Sequence, residues 1–275
     1  MRVSVLVNNH NNGRYLAACL ESVVAQTRHA DEIIVHDDGS TDNSEEVLRT
    51  FTDRITVIKS TRDENHPGSA CFRQAVAIRK SFQASIGDVI FLLDGDDRFH
   101  PNRIERYLSV FAAESPSKPL LVQAPMQVIN DSGQPTETRS IHRKPSADPL
   151  KDIYRRNDAD VFYSTSALAF DRAFLEEWLP IVTVQPECPT WIDVRLTCAA
   201  VLSGKVVTLQ EELGDWRWHA ASNYTSQSKN RSFLLLNTIR RTRWFNRICR
   251  QLNRPQISLW RNRRFFRQCA GMVIR

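Results

Sequence analysis

Nowhere in the 275 residues is there a run of about 18 apolar side chains, so no segment has the length and hydropathy of a membrane-spanning helix. The opening Met1-Arg2-Val3-Ser4-Val5-Leu6-Val7 turns polar at Asn8, too soon for the apolar region of a signal peptide, and cytoplasmic residence is the expectation. Cysteine is sparse and scattered: none of the six (Cys19, Cys71, Cys188, Cys198, Cys249, Cys269) belongs to a Cys-x-x-Cys pair. A disulfide framework or a zinc knot needs closer clustering, so buried thiols in a reducing compartment are expected. Also absent are a Gly-x-Ser-x-Gly elbow, a Walker loop and a His-Glu-x-x-His pair, each the mark of a different catalytic class.

One sign of charge is missing from the end of the chain. Between Arg231 and Arg275 there are 12 arginines, no lysine and no acidic residue. The rest carries 25 basic against 31 acidic residues, so the net charge of +6 divides into an acidic body of −6 and a basic tail of +12. Such a split speaks to partners and not to fold. At 41% hydrophobic and 25% charged, the composition is that of a folded globular protein, long enough for one substantial core or two small ones.

Residues Val3 to Val7 are β-branched and apolar, a strand bounded by the turn-rich Asn8-Asn9-His10-Asn11-Asn12-Gly13. Leu16, Leu20, Val23 and Val24 follow at helical spacing. Ile33-Ile34-Val35 is a second strand that runs into Asp37-Asp38-Gly39-Ser40-Thr41-Asp42. A helix then passes through Val47, Leu48 and Phe51, and Asp42 with Glu45 has the spacing of a capping box. Residues 55–58 form a third strand and 70–82 a helix, while the unbroken apolar run 89–93 reads as a strand buried on both faces. This alternation predicts a mostly parallel sheet between layers of helices. Farther on, strands are expected near 120–122, 167–170 and 206–209, with a polar surface loop over 136–148. A helix is expected over 194–202, ended by Gly204.

Open parallel sheets bind ligands beyond the carboxyl ends of their strands. Three polar clusters fall at such ends: Asn8 to Asn12, Asp37 to Asp42, and Asp94-Gly95-Asp96-Asp97. Carboxylates at i and i+2 across a glycine can meet a hard divalent cation from an extended turn; a solvated acidic turn is the plain alternative. A helix–loop–helix calcium site is excluded. Phe99 stands where that loop needs glycine and Arg98 at an inner ligand position, although Glu105 falls where the last ligand belongs.

The run Val3-Ser4-Val5-Leu6-Val7, Asn11 with Tyr15-Leu16, Leu20-Glu21-Ser22-Val23, Gln26-Thr27 and Glu32 to Asp42 resembles the family 2 glycosyltransferases. The likeness continues through Gly68-Ser69-Ala70 with Arg73 and through Phe91-Leu92-Leu93-Asp94-Gly95-Asp96-Asp97, similar to the family's Asp-x-Asp motif. It is strong over residues 3–112 and thinner, though collinear, to about 225. It implies the α/β GT-A fold: a Rossmann-like, mostly parallel central sheet flanked by helices, here with a C-terminal helical tail. The implied organisation is a transferase domain over 1–228, with a nucleotide-sugar half at 3–112 and an acceptor half at 113–228, then a basic amphipathic tail at 229–275.

The resemblance also implies roles. A nucleotide-diphosphate sugar would be the donor, with Asn9, Asn11 and Asp37 at the nucleoside and Arg73 nearby. Asp96, with Asp94, would meet the metal (Mg²⁺ or Mn²⁺) and the donor ribose or diphosphate. Trp191-Ile192-Asp193 looks like the position of the general base, which must take the proton of a poorly nucleophilic sugar hydroxyl. From the residues alone, Asp193 reads first as a helix N-cap, and it is the resemblance that reverses the preference in favour of the base. Asp215 to Asn223 resembles the family's Tyr-Arg-x-His-x-x-Ser segment, which would bring His219 to the metal or diphosphate. Asn8 stands where the family usually has proline, His10 where it has a residue such as tyrosine, and the helix between Arg73 and Gly87 is longer; these departures bear on nucleotide preference. A pyrophosphorylase would need a glycine-rich turn where Asn8 to Asn12 stand.

Apolar residues at 235, 239, 245, 248, 249 and 252 keep helical spacing among the tail arginines. Pro255 breaks that helix, and Trp260, Phe265 and Phe266 then alternate with Arg261, Arg263, Arg264 and Arg267. Three readings suit the pattern: an anionic membrane surface, nucleic acid, or a helix packed on the catalytic domain with its arginines in water. Membrane is preferred over nucleic acid because many such transferases use lipid-linked acceptors. The tail is then expected to be a peripheral anchor, and a chain ending near Ser228 to stay folded. The function expected is inverting, metal-assisted sugar transfer to a glycan or lipid-linked hydroxyl, inversion being inherited from the resemblance. The rival is a decayed, non-catalytic transferase fold that binds anionic lipid or nucleic acid through its tail. Intact acids at 96 and 193 argue against decay.

Overall fold

The computed structural model describes residues 1–61, 69–114, 119–136, 148–160, 162–183, 190–220, 222 and 230–273. Seven strands form the main sheet: β1 (Val3–Asn9), β2 (Glu32–Asp37), β3 (Thr56–Lys59), β4 (Val89–Asp94), β6 (Leu120–Gln123), β8 (Leu168–Asp171) and β9 (Lys205–Thr208), in the order β3-β2-β1-β4-β8-β6-β9. Only β8 runs against its neighbours. A small second sheet orders β5 (Arg98–Phe99), β10 (Gly214–Arg217) and β7 (Gln127–Ile129) beside the ends of the first.

Strand alternation divides the core in two. Val3, Val5, Val7, Ile33, Val35, Phe91 and Leu93 face one layer, which α1 (Gly13–Val24), α2 (Ser44–Arg49) and α4 (Arg103–Ala113) cover. Leu6, Ile34, Ile90 and Leu92 face the other, filled by α3 (Ala70–Ala84), α5 (Pro149–Arg156), α6 (Arg172–Thr183) and α7 (Ile192–Ser203). Burial on both faces is why these strands read as unbroken apolar runs.

Three local expectations are corrected. The capping box at Asp42 and Glu45 does not form: Asn43 is the N-cap of α2, without a side-chain bond. Asp42 instead accepts from Gly13 N at 2.8 Å and Ser44 N at 3.0 Å, tying the starts of α1 and α2 together, while Glu45 pairs with Arg49 and Lys59. Gly204 does follow α7, but its φ of −126° is open to any residue. Glycine is required there because a Cβ would stand 2.3 Å from the Pro119 carbonyl. The surface loop expected at 136–148 and the thiol Cys188 lie largely outside the described residues.

The third correction concerns the tail. It forms α8 (Arg231–Gln251) and α9 (Arg263–Val273), as its spacing and Pro255 predict, but it does not stand apart. Trp244, Phe245, Ile248, Cys249 and Ile257 are 0–4% exposed and belong to the second core layer. They cover α7, whose side chains from Leu196 to Leu202 are all buried, the mark of a helix enclosed by neighbours. None of the described helices is long and apolar enough to cross a membrane.

Candidate active site

The carboxyl ends of β1, β2 and β4 open into a cavity of about 570 Å³. Its floor is a hydrogen-bonded knot. Asn9 and Asp37 are buried and face each other, Asn9 Nδ2 donating to Asp37 Oδ1 at 2.7 Å, and Ser40 Oγ donating to the same oxygen at 2.6 Å. Asn11, in the left-handed region that asparagine tolerates (φ 52°), accepts from Thr41 N through Oδ1 and donates its own backbone N–H to Ser40 Oγ. The first two loops are therefore braced by the very residues that the resemblance assigns to the nucleoside. Asn11 reaches the cavity surface, but Asn9 and Asp37 lie beneath it; Asn8, His10 and Asp38 face it instead. Arg73, on α3, also faces the cavity, its Nε 3.3 Å from Asp38 Oδ2.

Beyond β4 the acids separate by task. Asp97 is 2% exposed and accepts the amide of Arg217 at 2.8 Å, which docks β10 against the turn. Asp94 accepts amide donors from Gln74 at 3.1 Å and Asn8 at 3.4 Å. Burial, then the charge of Asp96, pushes its carboxyl up to about 7. Gly95 lets the turn pass over Asn9, because a Cβ would come within 2.9 Å of Asn9 Oδ1. Asp96 faces the cavity with its Oδ2 2.9 Å from His219 Nε2. His219 is held by the Tyr15 ring, 4.8 Å away between centroids. Arg217 lies over that same ring and bonds the carbonyls of Asp96, Asn130 and Asp131.

A carboxylate and an imidazole that meet at a cavity surface are apt donors for Mg²⁺ or Mn²⁺. His219 Nε2 lies against Asp96 Oδ2, while its Nδ1 is buried without a hydrogen-bond partner among the described residues. Among the described residues no cluster of three His, Cys, Asp or Glu could hold an ion by itself.

Asp193 enters the same cavity from the first turn of α7. The N-cap is Trp191 and not Asp193. The carboxylate accepts from Val194 N at 2.6 Å, and burial, the main cause, lifts its pKa to about 6. Arg195, fully buried, donates to the carbonyls of Thr190 at 2.8 Å and Val182 at 2.6 Å. Asp94, Asp96, Asp193, His219, Arg73 and Asn11 are thus brought together, and Asn9 and Asp37 support them from below.

The last wall carries no motif. Asn237, Thr238 and Arg241 of α8 and Arg264 of α9 line the cavity, together with Trp191 and Trp216. Arg241 Nη1 pairs with Asp160 at 2.9 Å, and Arg264 pairs with the same carboxylate. The expected separation of tail from catalytic machinery is therefore corrected: one helix face lies in the core and an adjoining stretch lines the site. The arginine excess pointed to the tail, but nothing in its local spacing ties residue 241 to residue 193.

The comparisons accord with this geometry. The description "Glycosyl transferase family 2" matches residues 4–179. The uncharacterised glycosyltransferase alr2836 of Nostoc is 33% identical over 228 residues, 82% of this chain and 67% of that protein. The chain belongs to glycosyltransferase family 2. The family's GT-A fold is matched by S. aureus TarS (residues 1–349) in complex with UDP-GlcNAc, with TM-score 0.59, 18% identity, and 87% of this chain and 66% of that one covered. The mannosyltransferase PcManGT of Pyrobaculum calidifontis, in complex with GDP-Man and Mn²⁺, matches with TM-score 0.58 and 14% identity over 99% of this chain and 70% of its own. The chain thus spans about two thirds of the length of each.

Proposed function

We propose that this family 2 protein transfers a sugar, with inversion, from a nucleotide-diphosphate donor to a hydroxyl of a glycan or lipid-linked acceptor. The observation that carries the reading is the convergence of Asp94, Asp96, His219 and Asp193 on one cavity from separate elements. The nucleoside end of the donor lies along the β1 and β2 loops, where Asp38, His10 and Asn11 face it and the Asn9–Asp37 pair braces them. Asp94 contacts the ribose or diphosphate, and Arg73 lies within reach of the same moiety. Asp96 and His219 would hold Mg²⁺ or Mn²⁺, which would supply a Lewis acid for the charge of the leaving diphosphate. Asp193 takes the acceptor proton as the new bond to the anomeric carbon forms, a step that a positioned base accelerates by about 10²–10⁴-fold. The acids stand intact at the cavity, which favours catalysis over a decayed binder. Residues 3–112 form the donor half and 113–228 the acceptor half, and the tail adds the outer wall. The protein works in the cytoplasm with its basic tail against an anionic membrane; nucleic acid is disfavoured as a partner.

The test is thermal unfolding of the full chain with a panel of UDP- and GDP-sugars, in Mn²⁺ or in EDTA, alongside donor turnover. A donor at 100 times its Kd stabilises by about 2.7 kcal/mol. Asp96→Ala should lose the metal-dependent part of that shift. Asp193→Asn should keep it and lose turnover, since it removes only a proton acceptor. Near wild-type turnover in Asp193→Asn would exclude it as the base, and unchanged metal dependence in Asp96→Ala would exclude Asp96 as a ligand.

A further inference from the structure

Helix α9 turns Arg264 and Gln268 toward the cavity wall and α8, and Phe266 outward between two arginines. Arg264 pairs with Asp160 on the cavity wall, and Gln268, one turn on, accepts from Thr238 of α8 at 2.9 Å. On the opposite side, at helical spacing, Arg263, Phe266, Arg267 and Ala270 are all exposed. Phe266 is 48% exposed and Trp260, in the turn before α9, is 75% exposed. Trp260, Phe265 and Phe266 touch one another with ring centroids 5.8–6.4 Å apart, so they form one wedge. A helix that served only to cover a core would bury these rings and leave the arginines alone in water. No acidic residue between 231 and 275 offsets Arg261, Arg263 and Arg267 around the wedge.

We propose that this face docks on an anionic lipid surface. Trp260 and Phe266 enter the headgroup boundary while Arg261, Arg263 and Arg267 meet lipid phosphates. The docking deepens the membrane contact proposed above and does not depend on the transfer chemistry. Its consequence for that chemistry is positional. The cavity wall and the lipid face are two sides of one helix, about 10 Å across. The acceptor side of the cavity is thereby held close to the bilayer, which favours the lipid-linked of the two acceptor classes. Ring geometry separates a bilayer from single-stranded nucleic acid. Bases stack on open, parallel aromatic faces, whereas Trp260 stands at 86° to Phe265 and Phe265 at 75° to Phe266, a compact wedge and not a platform.

The test is co-sedimentation of the full chain with vesicles of phosphatidylglycerol and phosphatidylcholine in equal parts, against phosphatidylcholine alone, with tryptophan emission recorded. Binding to the anionic vesicles only, with a blue shift and partial release by high salt, is expected. Arg263→Gln with Arg267→Gln should weaken binding by roughly 25-fold, about five-fold for each charge, and flatten its salt dependence. Trp260→Ser with Phe266→Ser should weaken it by more than about ten-fold and remove the blue shift. Neither pair touches the cavity, so both should keep the wild-type melting temperature and the donor-induced shift. Vesicle binding unchanged in both pairs overturns the proposal, as does a full chain that ignores anionic vesicles and instead binds a single-stranded oligoribonucleotide. Vesicle binding by a protein that shows no shift with any UDP- or GDP-sugar would support the docking face and overturn the transfer reading.

Discussion

Burial lifts the Asp193 carboxyl from the usual 3.8 to about 6, so at neutral pH it is ionised yet more basic than an ordinary carboxylate. Two outcomes follow from the sign of that shift. Donor turnover to acceptor should fall about tenfold per pH unit below about 6, and a pH–rate profile of kcat/KM will show that limb if Asp193 is the base. Stability moves the other way: the raised pKa favours the folded state at low pH, and this contribution is lost as pH rises through about 6. Asp193→Asn should therefore be more stable than wild type at pH 8, on the order of 1–2 kcal/mol, since the carboxylate lines an open cavity and is only partly desolvated. Urea titrations of both proteins at pH 5 and pH 8 would reveal it; an equal difference at both pH values would refute the linkage.

Among the secondary-structure elements, the ones that speak plainly in the sequence are those buried on two sides. Residues 3–7, 33–35 and 89–93 read as strands because a sheet between two helical layers demands apolar side chains on both faces. By contrast, β5, β7 and β10 are two to four residues long and carry Arg98, Gln127, Asp215 and Arg217, so no periodicity marks them. They exist because Asp97 and Arg217 pin β10 to the Asp-x-Asp turn, and in doing so they deliver His219. Close approach fixes another junction, between α7 and β9. Gly204→Ala would place a methyl 2.3 Å from the Pro119 carbonyl, against a backbone that Lys205 N already bonds at 2.8 Å. A loss of roughly 1–3 kcal/mol is expected, measurable by urea unfolding, with donor affinity unchanged.

For the whole molecule, the tail is now expected to be indispensable. Trp244, Phe245 and Ile248 are almost fully buried against α7, and such side chains contribute about 1.5–3 kcal/mol each. Their sum approaches the total stability of an ordinary domain, about 5–15 kcal/mol. A chain ending near residue 228 should be insoluble or molten by near-ultraviolet circular dichroism, and Phe245→Ala should cost about 3–5 kcal/mol. A shortened chain that unfolds cooperatively at the wild-type temperature would restore the tail as a detachable anchor.

By itself the sequence determined the alternation of strand and helix from β1 to β4, the family, and the acids that meet at the strand ends. Those features rest on short-range periodicity and on motifs of adjacent residues. Tertiary structure decided which neighbour faces the ligand and what closes the cavity. Asp37 and Asp38 are equivalent as a dipeptide; only the pairing of Asn9 with Asp37 under the loops leaves Asp38 on the surface of the site. Whether an arginine-rich helix floats or packs depends on what covers α7, a contact between segments far apart in the chain. The burial of Trp244 and Phe245 and the pairing of Arg241 with Asp160 answer that question, because apolar area and charge partners are supplied by the fold and not by neighbours in sequence.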